Sequence, residues 1–376
     1  MAIRLASTAM LSRMADSLYW IGRYVERAED TARITHVNYQ HTLGMGSSPE
    51  AESRRRRQWE ALVTIVGDAS RFRLEHAAAD EDTVPPYLTF DRSNPNSIIT
   101  CIASAREQAR TMRHQIASEM WEALNRFHLD LQRRVEQSHG IIDAEDAYPF
   151  YRSIVDFSHL FQGITDSTMP REEGWYFLQA GKFLERAEKT ARALDVKYHL
   201  LVADADPTAP VAGPGFARAA ADLTPEDGVI GEWHQWLAVL RSLSAYEAYH
   251  KIYRSGVRPR SVVEMLLLSP AFPRSIRFAI EEVDTALARI AVDCAPLLDA
   301  ESLGGSSVTT GGPTEAERAV GRLRSQLAYQ RVEEVFDAGL HDYLLDLQRR
   351  CYEIGERIHA QYFAHRVLRA EEVLAS

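Results

Sequence analysis

Ile21-Gly22-Arg23-Tyr24-Val25-Glu26-Arg27-Ala28-Glu29-Asp30-Thr31-Ala32-Arg33 returns later in the chain as Ala180-Gly181-Lys182-Phe183-Leu184-Glu185-Arg186-Ala187-Glu188-Lys189-Thr190-Ala191-Arg192. The two stretches align without a gap and share eight residues of thirteen. The same offset sets Val37 over Val196 and Tyr39 over Tyr198. Around the first copy, Leu11, Met14, Leu18, Ile21, Val25, Ala28 and Ala32 recur at a spacing near 3.6 with no proline, which predicts a long amphipathic helix from Leu11 to Leu43. Trp175 to Val202 repeats the pattern around the second copy.

A second pairing follows in the same order. Pro95-Asn96-Ser97-Ile98-Ile99 reads onto Pro259-Arg260-Ser261-Val262-Val263, and that register sets Arg110 over Arg274, Arg113 over Arg277 and Ile116 over Ile280. Two ordered matches imply an internal duplication whose period far exceeds a solenoid unit of about 20–50 residues. The expectation is an all-α fold of two related helical bundles in a pseudo-twofold arrangement, residues 1–168 and 169–376, with a cleft where they meet.

Elsewhere the pattern predicts helices at Trp59 to Ile65, Ile98 to Phe127 and Tyr148 to Ile164, then at Trp233 to Tyr253, Ser261 to Leu268 and Arg274 to Ile290. A last helix spans Thr314 to Leu374 with a break near Gly339. Pro85-Pro86 reads as closing a loop, and the basic run Arg54 to Arg57 as a solvated loop or helix start. Asp204 to Gly231 and Ser302 to Pro313, rich in Gly, Pro, Ala and Asp, read as long loops. No sustained alternation of β-branched residues calls for a strand.

With 376 residues, 45% of them hydrophobic, the chain has material for one large core or two moderate ones. A net charge of −10, from 53 acidic and 43 basic residues, argues against a general nucleic-acid binder. Cys101, Cys294 and Cys351 are an odd number, far apart and without CxxC spacing, so neither a disulfide framework nor a zinc ribbon is expected, and a reducing cytoplasm is the simplest home. No run approaches the roughly 18–20 apolar residues of a membrane span, and no export signal is read at the start.

On a helix, Glu26, Glu29, Asp30 and Arg33 stand at i, i+3, i+4 and i+7 and share a face, while Arg27 is turned about 100° away. The repeat keeps Glu185, Glu188 and Arg192 on one face, with Arg186 displaced in the same sense. Two readings follow. The charges form ion pairs that fix helix packing, with Gly22 and Gly181 permitting close approach; or they line a polar cleft and hold an anionic or amino-acid-like ligand, since guanidinium forks match carboxylates. Arg106, Glu107, Arg110 and Arg113 form a further cluster, with Arg274 and Arg277 at the matching places, and read either as surface ion pairs or as an anion site gathered from both halves.

Glu356-x-x-His359 and Asp156-x-x-His159 have the spacing used by di-iron bundles, yet they do not align in the register of the repeat, and its arginines would oppose a cation. No metal or other cofactor is therefore expected. There is no GxSxG elbow, no GxxxxGK[ST] loop, no HExxH and no GxGxxG after a strand; Gly213 and Gly215 lie in an Ala/Pro loop. Trp233, Trp236, Tyr246, Tyr249 and Tyr253 read as core.

The run Met10-Leu11-Ser12-Arg13-Met14-Ala15-Asp16-Ser17-Leu18-Tyr19-Trp20, continued through Glu26-Arg27-Ala28-Glu29, resembles the bacterial alpha-E domain family. The resemblance extends through Asn94-Pro95-Asn96-Ser97, Ala105 to Arg110, Trp121 to Asn125, Glu185-Arg186-Ala187-Glu188 and Phe272-Pro273-Arg274-Ser275. It implies an accessory component of systems that pair such proteins with circularly permuted ATP-grasp proteins, transglutaminase-like proteins and, in some bacteria, a proteasome-related peptidase. The implied setting is ATP-dependent amide or peptide bond formation, with the ATP chemistry on the partner. Phe272-Pro273-Arg274 has no counterpart in the first half under the register above, so the halves are expected to divide their tasks. Three functions follow from this reading: a partner of an ATP-grasp ligase, a stand-alone enzyme with a Glu general base, and a non-catalytic scaffold.

Overall fold

The computed structural model describes residues 10, 12–66, 69–138, 142, 144–205, 230–254, 256–301 and 312–363. The expected loops over 206–229 and 302–311, the helix tail beyond 363, Leu11, Gly213, Gly215 and the side chains of Tyr198, Trp233 and Cys294 lie outside the described residues. Among the described residues there are fifteen α-helices and no strand. None of the helices is long and apolar enough to cross a membrane.

Two long helices occupy the centre. α1 (Ser12–Leu43) and α8 (Glu173–Ala205) pack on one another more extensively than any other pair. What lets them approach is the absence of two side chains. A Cβ at Gly22 would collide with the carbonyl oxygen of Leu178, and one at Gly181 with the carbonyl oxygen of Tyr19. Both obstacles are backbone, so only glycine fits at this crossing.

Between them run α2 (Pro49–Val66), α3 (Ala69–Glu75), α4 (Val84–Thr89), α5 (Ile98–Thr111), α6 (Ser118–Ser138) and α7 (Ala144–Thr168). After α8 follow α9 (Ile230–Ser242), α10 (Tyr246–Ile252), α11 (Pro259–Leu268), α12 (Ile276–Glu301), α13 (Glu315–Tyr329), α14 (Val332–Ala338) and α15 (Leu340–Ile358), which ends in a π turn at His359–Phe363. Helices α5 and α7 flank α1, and α6 bridges them; α12 and α15 flank α8, and α13 bridges them. α2 and α9 each touch both central helices. One continuous cluster of buried apolar side chains runs through all of these elements.

This packing corrects the register of the second sequence pairing. The segment that enters α12 is Phe272-Pro273-Arg274-Ser275, and it stands to α8 as Asn94-Pro95-Asn96-Ser97 stands to α1. Ser97 caps α5 by accepting from Thr100 N at 3.3 Å, and Ser275 accepts from Phe278 N at 3.0 Å ahead of α12. Pro259 instead starts α11 at its first turn, where a missing N–H costs nothing. Pro273 therefore has a counterpart, Pro95, and the asymmetry falls on the next residue, Asn96 against Arg274.

Other expectations shift for local reasons. Pro85 and Pro86 sit in the first turn of α4 and do not close a loop. Arg54 to Arg57 lie within α2. The single helix expected over Ile98 to Phe127 is two, parted at Met112 to Ala117, and Trp233 to Tyr253 breaks at Ser244, whose φ is 50°. The long final helix is three. Gly339, at φ 95°, separates α14 from α15, and Thr314 with Glu317 forms the capping box that starts α13.

Candidate functional site

The repeated motif pairs with itself. Arg27 of α1 forks onto Glu185 of α8, Nε to Oε1 at 2.7 Å and Nη2 to Oε2 at 2.9 Å. Arg186 of α8 forks onto Glu26 of α1, Nε to Oε1 at 2.6 Å and Nη2 to Oε2 at 2.8 Å. Each arginine is steadied by the segment entering the next helix, Arg27 by Asn96 Oδ1 at 2.9 Å and Arg186 by Pro273 O at 3.1 Å. Glu26 and Glu185 are wholly buried. Forked guanidinium–carboxylate pairs of this kind are the strong class of ion pair, and desolvation makes breaking one costly.

Around Glu29 the network is denser. Arg33 Nε donates to Glu29 Oε1 at 2.8 Å, Arg274 donates to the same oxygen and to Asp30 Oδ1, and Ser158 Oγ donates to Glu29 Oε2 at 2.5 Å. Gln162 Nε2 reaches Glu26, Glu29 and Ser158 at 3.1–3.4 Å. Arg33 also meets Ser244 Oγ at 2.5 Å and His159 Nε2 at 2.9 Å. Burial alone would raise the Glu29 carboxyl, but Arg274, His159 and Arg33 hold it well below the usual carboxylate range. For Glu185 burial is likewise overcome, by Arg27 and Arg23. Asp30 goes the other way. Burial and the adjacent Glu26 push it up to about 7 despite Arg274. Burial and Arg186 bring Lys182 down to about 8.

These shifts give a pH signature. The folded pKa of Asp30 is raised, so its contribution to stability is complete below its ordinary value of 3.8 and is lost as pH rises through about 7. The contributions of Glu29 and Glu185 are present above their ordinary 4.5 and are lost on acidification. Near neutrality, the stability difference between Asp30→Asn and wild type therefore isolates Asp30. The variant is expected to gain on wild type by up to about 1.4 kcal/mol per pH unit toward neutrality and then level off, in urea titrations across that range. A difference that does not change with pH would mean that Asp30 carries no proton there.

An open cleft of about 240 Å³ lies on the other side of the Glu185 pair. Its α1 wall is Tyr19, Trp20, Arg23 and Arg27, and α8 contributes Glu188. Tyr352, Gly355 and Glu356 close it from α15, with His359 beyond the helix end. Arg23 donates from Nε to Glu185 Oε2 at 2.6 Å, from Nη2 to Glu188 Oε2 at 2.8 Å and from Nη1 to Tyr19 Oη at 3.3 Å. Arg192 holds the other Glu188 oxygen at 3.2 Å. Burial raises the phenol of Tyr19 and the carboxyl of Asp16, the latter partly opposed by His359 and a hydrogen bond with Trp20.

Of the residues marked in the sequence, Arg27 and Glu188 reach this cleft, and Glu185 lies behind it, bonded to Arg23 and Arg27. Glu26, Glu29, Arg186 and Arg274 form the buried network with Arg33. Arg106 and Arg113 stack on Trp121, Arg106 also binding Asn125, while Arg110 and Glu107 form an exposed pair. Arg277 pairs with Glu281 along α12. Arg274, by contrast, is held by Glu26, Glu29 and Asp30. Trp236 and Tyr249 are core, as expected.

Sequence reasoning missed Arg23, Tyr19, Trp20, Tyr352 and Gly355 as cleft residues. A lone glycine inside the strongly amphipathic α15 was the available signal, because it costs about 1 kcal/mol relative to alanine unless packing or function needs it. For a metal, Glu356 and His359 share the cleft rim, but Asp156 pairs with Arg152 on the surface and His159 meets Arg33 and Glu29. Among the described residues, the group compact enough to hold an ion is Glu75, His76 and Asp91, within 4.8 Å of one another and apart from both polar centres.

Helices alone, crossing at glycines and locked by a glutamate–arginine pair exchanged between two of them, define an all-helical protein organised around a paired Glu-Arg motif. A family model, Alpha-E, described as a predicted alpha-helical domain with a conserved ER motif, matches residues 10–363, and the chain belongs to that family. Uncharacterised proteins of Mycobacterium bovis and Mycobacterium tuberculosis are each 23% identical over 188 residues, covering 46% of this chain and 21% of theirs. The chain thus spans about a fifth of the length of the curated relatives it matches. No solved structure matches it.

Proposed function

We propose that the chain is a partner component of an ATP-grasp-dependent amide- or peptide-bond-forming system, and that the cleft at Arg23, Glu188 and Glu356 receives an anionic or amino-acid-like group. The observation that carries the reading is the cleft itself, with both signs of charge and three aromatic rings around one small opening. The Glu-Arg motif has the structural task of locking α1 to α8. Glu26 and Glu185 are buried and spoken for on both oxygens, which counts against either as a general base on a diffusible substrate. In the mycobacterial relatives the matched segment is a minor part of a longer chain, in keeping with work beside another unit.

The test is an ATP-consumption and product assay by mass spectrometry, using the purified protein with and without its cognate ATP-grasp protein and a pool of amino acids. Product is expected only when both are present. An unchanged product yield without this chain would sink the proposal.

A further inference from the structure

Two polar centres flank the crossing of α1 and α8, and one residue decides which of them is open. Six of the nine buried positions among the described residues of α7, Ala147, Tyr151, Ile154, Ser158, Phe161 and Thr165, recur in spacing as Leu340, Leu344, Leu347, Cys351, Ile354 and Ile358 of α15. In that register Ser158, bonded to Glu29, corresponds to Cys351, which lies beside Glu188, and Gln162 corresponds to Gly355. In the first centre the Gln162 carboxamide bridges Glu26 Oε2 and Glu29 Oε2. In the second there is no side chain at 355, and Arg23 bridges Glu185 Oε2 and Glu188 Oε2 in its place. A Cβ at Gly355 would stand 3.6 Å from Arg23 Nη1, so a longer side chain there would occupy the space beside the guanidinium.

The result is a guanidinium at the wall of a cavity with capacity to spare. Of its five N–H groups, Arg23 uses three, and Arg27 also uses three. Arg23, Arg27, Lys189 and Arg192 lie within ion-pair distance of Glu185 or Glu188. Of these six groups Arg23, Arg27 and Glu188 line the cleft, so its inner wall carries two guanidinium groups against one carboxylate. Glu356, exposed at the rim, has the opposite sign. At about 240 Å³ the cleft has room for a ligand as small as one amino acid.

We infer that the cleft binds a free amino acid, its carboxylate on the unused N–H groups of Arg23 and Arg27 and its amino group toward Glu356, and that Gly355 keeps this site open while Gln162 plugs its counterpart. The inference rests on reading the cleft as the ligand site of the proposed partner component.

Calorimetric titration of the full chain with each of the common L-amino acids tests it. At least one is expected to bind, and its α-carboxamide, which lacks the anionic charge, to bind about tenfold more weakly or worse. Gly355→Gln is expected to abolish binding while keeping the circular dichroism spectrum. Should that variant not fold, wild-type protein labelled with 5-fluorotryptophan gives the answer, since the Trp20 fluorine resonance must shift on binding. The inference is overturned if no amino acid binds, if the carboxamide binds equally well, if Gly355→Gln binds as wild type does, or if binding leaves the Trp20 signal in place. Binding is read without any ligase, so the two proposals fail separately. A chain that binds an amino acid but leaves ligase product unchanged sinks the partner role alone, and one that supports the ligase yet binds no amino acid sinks this inference alone.

Discussion

Glu185→Ala is expected to cost about 3–5 kcal/mol of folding stability, read as a lower midpoint in urea followed by circular dichroism. The carboxylate is wholly buried and takes both Nε and Nη2 of Arg27 together with Nε of Arg23. Its removal leaves Arg27 buried with Asn96 as its remaining bonded partner, an uncompensated charge in a dry environment. Arg23 suffers less, because Glu188 still holds it. The paired replacement Arg27→Met with Glu185→Leu is expected to cost less than Glu185→Ala alone, since desolvation of both charges disappears with the pair. A loss below about 1 kcal/mol for Glu185→Ala would return the motif to the ligand-binding reading, because a pair worth so little is in the range of exposed surface pairs.

Gly181→Ala is the second large effect, and it acts through shape alone. The added methyl group meets the backbone carbonyl of Tyr19, which has no rotamer to change, so the two central helices must part. Overpacking commonly costs about 1–3 kcal/mol, and a backbone obstacle places this case at or beyond the upper end. Parting the helices also stretches both Glu-Arg forks, one on each side of the crossing. Gly22→Ala is expected to behave alike, and the double variant to cost less than the sum, because helices already separated by one methyl group accommodate the second. Gly163→Ala is the control. Nothing lies within 4 Å of its Cβ position, so it is expected to be neutral or to stabilise by up to about 1 kcal/mol through helix propensity. Equal effects at Gly163 and Gly181 in denaturation would refute the close-contact argument.

The two central helices were legible because their apolar stripes are long and contain no proline, and α1 begins and ends within a residue of the expected bounds. The break between α5 and α6 was not, since Met112 to Ala117 contains neither residue and only tertiary packing ends the helix there. The register of the second repeat misled for a definite reason. The pattern Pro-x-Ser followed by an apolar residue occurs at both Pro259 and Pro273, and the chain alone does not say which stretch leans on α8. At the site, face-sharing along α1 placed Glu26 and Glu29 together, but their partners sit far away in sequence. Helical periodicity carries no information on how one helix meets another, so the exchange of Arg27 and Arg186 between helices could not be read, nor could the contact of Arg274 with three carboxylates. Gly355 passed unnoticed because its role is to be absent beside Arg23.

The placement of α1 against α8 also bears on how a ribosome delivers this protein. At about 5–20 residues per second, α8 is completed roughly 10–30 s after α1 leaves the peptidyl-transferase centre. Through that interval the face of α1 that will be entombed presents Glu26, Glu29 and Asp30 to water, with Arg186 and Arg274 still unmade. Hydrated carboxylates repel their like on neighbouring nascent chains, where an apolar seam would have stuck to them. The carboxylates of α1 thus stay hydrated until Arg186 and Arg274, their partners from later in the chain, have been translated.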